Sequence, residues 1–422
     1  MTRAGITQMC ASAILALSAV AITHTADHTP AVTLAVTGRM NATPSVAAAN
    51  QFVAVAWGAT LPSGGTDVYA AASRDGGRSF GQPVRVNDVD GDASLGLEQP
   101  PHVSLVARVG HDPSIVVVWT AKSKDGTRVL TARSENGGAS FARAVAVPAS
   151  EAAGNRGWVS TAVDRDGHVV AIWLDHREMT PGRMPAHEGH VHDSAVTNVD
   201  GAAHAQASKL YFAALDDASS GRPLTGGVCY CCKTAVTIGP DGSIYTAWRH
   251  VYPGNLRDIA FTFSRDGGRS FAAPARVSDD RWKLDGCPEN GPALAVTADN
   301  AVHVLWPTLI TPASASAEPA LALFHAVTHD GRTFSPRQRV DTEGTPRHPQ
   351  LVATPQGLAA AWDEEVDGGN RRVVFVRTFN APTREVLSSS RAQTPSIAPA
   401  SDAVVIAWTD GADHSVIRVA RR

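Results

Sequence analysis

The residues best suited to chemistry fall in three short stretches. Cys229-Tyr230-Cys231-Cys232-Lys233-Thr234 places three thiols in four positions. Gly286-Cys287-Pro288-Glu289-Asn290-Gly291-Pro292 adds a fourth. His187-Glu188-Gly189-His190-Val191-His192-Asp193 supplies imidazoles, with His204 further on. Thiolates and imidazoles together are good ligands for Cu(I), Cu(II) or Zn(II), so copper or zinc is a candidate cofactor held by Cys229, Cys231, Cys232 and Cys287 with help from His187, His190 and His192. The competing expectation is that the four cysteines form disulfides, Cys287 being tied to one member of the triplet. Adjacent Cys231 and Cys232 pair poorly with each other, which restricts the partner choice. The histidines have their own plain reading, a polar insertion with adventitious metal affinity. His187-Glu188 is not the zinc-protease pattern, because the second His falls one position too early.

Other polar residues are candidates by type and neighbourhood. Arg257, Asp258, Tyr252 and Glu289 are the ones to consider for catalysis. Asp175, Arg177, Arg249, His250, Asn290, Arg347, His348 and Glu364 are the ones to consider for a ligand-binding face. Each has a structural alternative. Arg257 with Asp258 reads equally as an ion pair within a blade, Asp363-Glu364-Glu365 as a solvated acidic loop, and the histidines, His102 included, as satisfied loop residues.

The elements that must position these residues are announced by repetition. Ser73-Arg74-Asp75-Gly76-Gly77-Arg78-Ser79-Phe80 returns letter for letter at 264–271, with looser copies at 134–141 (SENGGASF) and 328–334 (THDGRTF). Asp-Gly-Gly makes a tight turn whose glycines accept positive φ, the Ser and Asp side chains can bond the turn's own backbone, and the Phe can fold back as an apolar plug. Each copy therefore reads as the tip of a β-hairpin. Seven apolar strands also end in Trp, at positions 57, 119, 173, 248, 306, 362 and 408, with gaps of 62, 54, 75, 58, 56 and 46 residues. A strand-only period in this range implies an all-β propeller of four-stranded antiparallel blades, seven of them, or six if one Trp strand is not a blade of its own. The last unit lacks a fourth strand. Ala31 to Thr37 (AVTLAVT) can supply it and close the ring, leaving no open sheet edge.

In such a ring the hairpin tips share one face, and the loops between blades share the other. The thiol string begins blade 4, the Cys287 string begins blade 5, and the histidine insertion lies in blade 3. All three are expected at one mouth of the central channel, away from the hairpin tips.

Composition fits this architecture. The chain has 422 residues, 43% hydrophobic and 18% charged, which is ample for one large core. Residues 1–26 read as a secretory leader, with Arg3, an apolar run from Ile6 to Ile22 and small residues at Ala19, Ala21 and Ala26. Residues 27–422 read as a single propeller domain, exported to the periplasm or secreted. No other segment is apolar enough to span a membrane, and a net charge of −3 gives no support to nucleic-acid binding. The partners expected are a small molecule or glycan, or another exported protein.

The S-x-D-G-G-x-S-F phrase resembles the Asp-box, or BNR repeat, of the sialidase-like propellers. Trp173-Leu174-Asp175-x-Arg177, Cys229-x-Cys231-Cys232-x-Thr234, Arg257-Asp258-Ile259, Gly286-Cys287-Pro288 and Asn290-Gly291-Pro292-Ala293 resemble a group of uncharacterised exported bacterial proteins within that superfamily. The resemblance implies an exported propeller. For sialidase chemistry it implies three arginines on a substrate carboxylate, a Tyr nucleophile with a Glu partner, and an Asp acid/base. The first arginine of that pattern is not matched at Arg39-Met40-Asn41, and is matched only loosely at Arg183-Met184-Pro185. The five tyrosines are Tyr69, Tyr211, Tyr230, Tyr245 and Tyr252; only Tyr252 falls where it can face the channel, and no Glu partner is evident. The expectations are thus a ligand-binding propeller with a possible Cys/His metal site, then a sialidase-type glycoside hydrolase, then a protein-docking scaffold.

Overall fold

The computed structural model describes residues 30–179, 201–284, 288–310, 318–379, 383–388 and 391–422. Cys287, His187, His190, His192 and the Arg183-Met184-Pro185 string lie outside the described residues. The described strands form seven four-stranded antiparallel sheets. Blade 1, for example, runs outward through Met40–Ala49, Phe52–Thr60, Thr66–Ser73 and Val84–Arg85. The innermost strand of every blade touches the innermost strands of both neighbours, so the sheets close into a seven-bladed ring. The closing strand is the one foreseen: Val32–Leu34 pairs antiparallel with Val416–Arg421, in the register Val32↔Val419 and Leu34↔Ile417.

The repeated Trp explains the packing. All seven Trp side chains are fully buried, each on the second strand of its blade. Each seals the joint with the preceding blade: Trp57 packs with Val405 and Val419, Trp119 with Ala54 and Ala56, Trp306 with Ile259 and Phe261. Second strands are covered on both faces, which is why they read as unbroken apolar runs rather than alternating ones. Replacing one of these Trp residues by Ala costs about 3–5 kcal/mol.

The hairpin tips are wired by their own repeat. Asp75 Oδ1 accepts hydrogen bonds from Ser73 Oγ (2.7 Å) and the backbone N–H groups of Arg78 and Ser79 (both 2.9 Å), and Asp75 Oδ2 accepts from Ser79 Oγ (2.5 Å). Asp266 repeats the pattern with Ser264 and Ser270. Phe80, Phe141, Phe271 and Phe334 fold back onto four different inter-blade cores.

At the opposite face the innermost strands enter the ring irregularly. Four of them carry a β-bulge, at Ala42/Ser45, Gly157/Ser160, Arg347/Gln350 and Gln393/Ser396. Each bulge holds a left-handed non-glycine residue: Thr43 (φ 54°), Trp158 (φ 51°), His348 (φ 47°) and Thr394 (φ 52°). The freed N–H of such a residue turns sideways to the preceding blade: Thr43 N donates to Thr409 Oγ1, Trp158 N to Gln99 Oε1, and Thr394 N to Asp363 Oδ1. The bulges thus staple blades together and re-aim side chains at the channel mouth.

Candidate functional site

The thiol string enters blade 4 on this bulged face. Cys229 N bonds Arg249 O (2.9 Å), and Val228 bridges His250 at the far end of the blade's second strand. The hairpin tip of the same blade, 264–271, sits at the other end of the sheet, where Ile244 pairs with Ser264. Cys229, Cys231 and Cys232 are buried in a small apolar cluster with Met179, Ala205, Tyr230 and Val251. Met179 and Ala205, the latter on a short helix (Gly201–Ala207), flank the long blade-3 insertion. The described ends of that insertion therefore do meet the thiols.

The three Sγ atoms lie within 4.8 Å of one another. Cys229 Sγ is 3.9 Å from Cys231 Sγ and 3.8 Å from Cys232 Sγ. Cys229 and Cys232 are free thiols, whereas Cys231 is disulfide-bonded. A sulfur held in a disulfide is not a thiolate ligand, so a three-thiolate site exists only after reduction. Arg257 Nη1 donates to Cys229 Sγ at 3.0 Å. Burial pushes the Cys229 thiol up, but the hydrogen bond from Cys232 and the charges of Arg257 and Arg249 outweigh it and bring it below the ordinary thiol range. Cys232 moves the other way, raised by burial and by its bond to Cys229.

Several sequence candidates turn out to be committed to the scaffold. Arg249 and Arg257 are fully buried. Arg249 spends its guanidinium on the carbonyl oxygens of Asn290, Arg257 and Pro307. Arg257 spends its own on Leu284 O, Asn255 Oδ1 and Cys229. Arg257 and Asp258 are not an ion pair with each other, as successive strand residues point to opposite sides; Asp258 instead takes Arg276 and the amides of Arg281 and Trp282. Asp175 accepts from Trp173 Nε1 (3.1 Å), Arg156 Nε (3.2 Å) and Arg177 Nη2 (2.6 Å). Glu364 accepts from Trp362 Nε1 (3.1 Å) and Arg372 (2.6 Å), and both it and Asp363 are buried, so 363–364 is not a solvated loop. His250 accepts from Trp248 at Nδ1, and burial with Arg276 nearby lowers its pKa to about 4. Tyr252 lies under Arg276, 4.4 Å from ring centroid to guanidinium carbon, and burial raises its hydroxyl to about 12. That is the reverse of an activated nucleophile, and among the described residues its hydroxyl has no hydrogen bond to a Glu. Glu289 sits in a left-handed turn (φ 46°) at the entry to blade 5.

What does converge on the channel mouth is a set that spans blades 2, 4, 5 and 6. Glu98, in the loop before blade 2, reaches across and accepts from the backbone N–H groups of Lys233 and Gly291 (both 2.8 Å). Its other oxygen has no hydrogen bond and faces His348 Nε2 at 4.0 Å. His348 Nδ1 is 2.6 Å from Asp363 Oδ1, so Asp363 orients the ring. Lys233 Nζ donates to Pro349 O (2.5 Å), and burial lowers its pKa to about 8 against the opposing pull of Glu98 and Asp363. Asn290 Oδ1 and Asp363 Oδ2 are also buried without a hydrogen bond. Arg347 is half-buried, with Nε buried, and has no hydrogen bond or ion pair among the described residues. Sequence reasoning named Arg347, His348 and Asn290, and missed Glu98, Lys233 as a side chain, and Asp363. For Glu98 no local signal existed. For Asp363 the Arg347-His348 dipeptide facing it across the sheet register was the clue.

No family model and no curated protein matches this sequence. Among solved structures, the chain is similar to the GH93 α-L-arabinofuranosidase of Fusarium graminearum determined with arabinobiose, at 10% identity and a TM-score of 0.52 over 93% of this chain and 97% of that one. It is similar to a protein of unknown function from Dyadobacter fermentans, at 13% identity and TM-score 0.52 over 93% and 98%. The polysaccharide lyase Uly1 matches at 11% identity and TM-score 0.52 over 89% of each chain. These likenesses support the β-propeller fold.

Proposed function

We propose that this protein is an exported sialidase-like propeller that takes a small carboxylate-bearing ligand, a sugar acid or the acidic end of a glycan, at its channel mouth. One observation carries the reading: the Arg347 guanidinium has no hydrogen bond or ion pair among the described residues, its neighbour His348 lies between Asp363 and Glu98, and one oxygen each of Glu98, Asp363 and Asn290 is buried without a hydrogen bond. A buried polar group left unpaired costs about 1–3 kcal/mol, and a bound ligand rich in hydroxyl donors relieves that cost. The guanidinium fork suits a carboxylate, while the acceptor oxygens suit sugar hydroxyls. Saccharides in the Fusarium enzyme and the saccharide chemistry in the name of the lyase are consistent with this class of ligand. Sialoside hydrolysis through a Tyr nucleophile is not supported, given the surroundings of Tyr252. The test is calorimetric titration with N-acetylneuraminate and glucuronate beside their neutral counterparts. Preferential binding of the acids, weakened at least tenfold in Arg347→Ala, is expected. Equal binding of neutral sugars, or indifference to Arg347→Ala, would overturn the reading.

A second reading is favoured by the sulfur spacing. With metal–sulfur bonds of about 2.3 Å, a tetrahedral site places its sulfurs roughly 3.8 Å apart. The separations of 3.8 and 3.9 Å match it. Reduced protein is therefore expected to take up zinc or copper(I) in a ratio of one per chain. Elemental analysis after gel filtration checks this, and failure to retain metal once Cys231 is reduced would remove the reading.

A further inference from the structure

The mouth site leaves one chemical feature unused, the C-x-x-C pair within the thiol string. Cys229 and Cys232 are both free and buried, with their sulfurs 3.8 Å apart and the Cys232 thiol donating to Cys229. Arg257 donates to Cys229 and is itself fixed by Leu284 O and Asn255 Oδ1, so its charge is pre-aimed at that sulfur. Among the described residues no cation donates to Cys232; its sulfur instead accepts the Asn290 N–H at 3.4 Å. One sulfur is thus set up as an attacking thiolate and the other as a resolving thiol, the division of labour of a dithiol redox couple.

We infer that Cys229 and Cys232 form a two-electron redox couple whose oxidant is a hydroperoxide. Burial selects the oxidant. Tyr230, Met179 and the Gly201–Ala207 helix pack against the sulfurs, so a disulfide on another protein cannot reach Cys229, whereas hydrogen peroxide is little larger than water. In the first step the Cys229 thiolate attacks one peroxide oxygen. The O–O bond breaks, the sulfur becomes a sulfenic acid, and the departing hydroxide takes a proton to leave as water. In the second step Cys232 sulfur, losing its proton, attacks the sulfenic sulfur; the S–OH bond breaks, water leaves, and the Cys229–Cys232 disulfide forms. The balance is two thiols and one peroxide giving one disulfide and two waters. Closing the bond draws the sulfurs to about 2.05 Å and pulls Cys232 from the Asn290 N–H. Asn290 carries the carbonyl that anchors Arg249, and the next amide, Gly291 N, anchors Glu98, so the event is one peptide away from the mouth. The inference does not depend on what the mouth binds.

The experiment uses the mature protein with its Cys231 disulfide intact, desalted under argon and freed of metal with a chelator, then given one equivalent of hydrogen peroxide. Peptide mapping without reduction is expected to find the 229–232 peptide lighter by two hydrogens, and dithiothreitol to restore both thiols. Cys232→Ser is expected to stop at the first step, with dimedone trapped on residue 229. Oxidation no faster than that of free cysteine, or a product in which Cys229 remains alkylatable, would overturn the inference. The wild-type map decides the matter on its own if the variant fails to fold.

Discussion

At the residue scale, arginines of one type divide into two roles by what their guanidinium groups already hold. Arg249 is saturated by carbonyl oxygens, whereas Arg347 has no hydrogen bond or ion pair among the described residues. Arg249→Ala is expected to cost about 3 kcal/mol or more, because several buried carbonyls lose their donor at once. Arg347→Ala is expected to leave the urea midpoint unchanged while removing ligand. Histidines set the pH response. Burial lowers His102 to about 4, with Lys233 adding to it, and His250 and His325 to about 4 likewise. Their unfolded value is about 6.5, so the unfolded chain takes protons first as pH falls. Stability is therefore full above about pH 6.5, is lost between 6.5 and 4, and stops falling from this source below 4; for the half-buried His102 the loss is at most about 3 kcal/mol. Urea unfolding at pH 7.5, 6 and 5 checks it, and His102→Gln should flatten the slope. The thiol string was legible as a site because three cysteines in four positions are rare for packing alone. Glu98 was not, since it lies 135 residues from the amide it binds.

At the element scale, the repeat sets the hairpin tips and the buried second strands, and the bulges set the mouth. The tips were legible because their hydrogen bonds are local: Ser73, Asp75 and Ser79 bond within one turn. The bulges were not, because nothing in Thr43, Trp158, His348 or Thr394 as residue types asks for positive φ. Gly268→Ala is expected to destabilise by about 2 kcal/mol or more, combining a left-handed φ of +83° with a Cβ 2.4 Å from Phe212 Cζ. Thermal melts of that variant measure it. The Trp strands make a comparative prediction. Trp362 Nε1 is the donor to Glu364 Oε2, while Trp119 Nε1 is buried without a partner. Trp362→Phe should therefore cost about 1–3 kcal/mol more than Trp119→Phe, since only the former leaves a carboxylate oxygen orphaned.

At the scale of the whole molecule, the ring is locked by one short strand from the other end of the chain. Val32–Leu34 closes the last blade, and Arg418 Nη1 bonds Thr33 Oγ1 across the seam. Removing residues up to 37 exposes the edge of Val416–Arg421 and is expected to lower the melting temperature and promote association, read by scattering during a melt. Seven blades and their closure were legible because the Trp period and the missing fourth strand are both countable in the sequence. Which loops face one another across the channel was not, because that depends on blade twist and on contacts between residues far apart in the chain. The account stands or falls on the mouth. A crystal structure of the protein grown with N-acetylneuraminate or glucuronate tests it most directly. The account predicts the ligand carboxylate on Arg347 and its hydroxyls on Glu98 and Asp363. A sugar acid seated instead among the Asp-Gly-Gly hairpin tips, or a mouth still empty at saturating ligand, would contradict it.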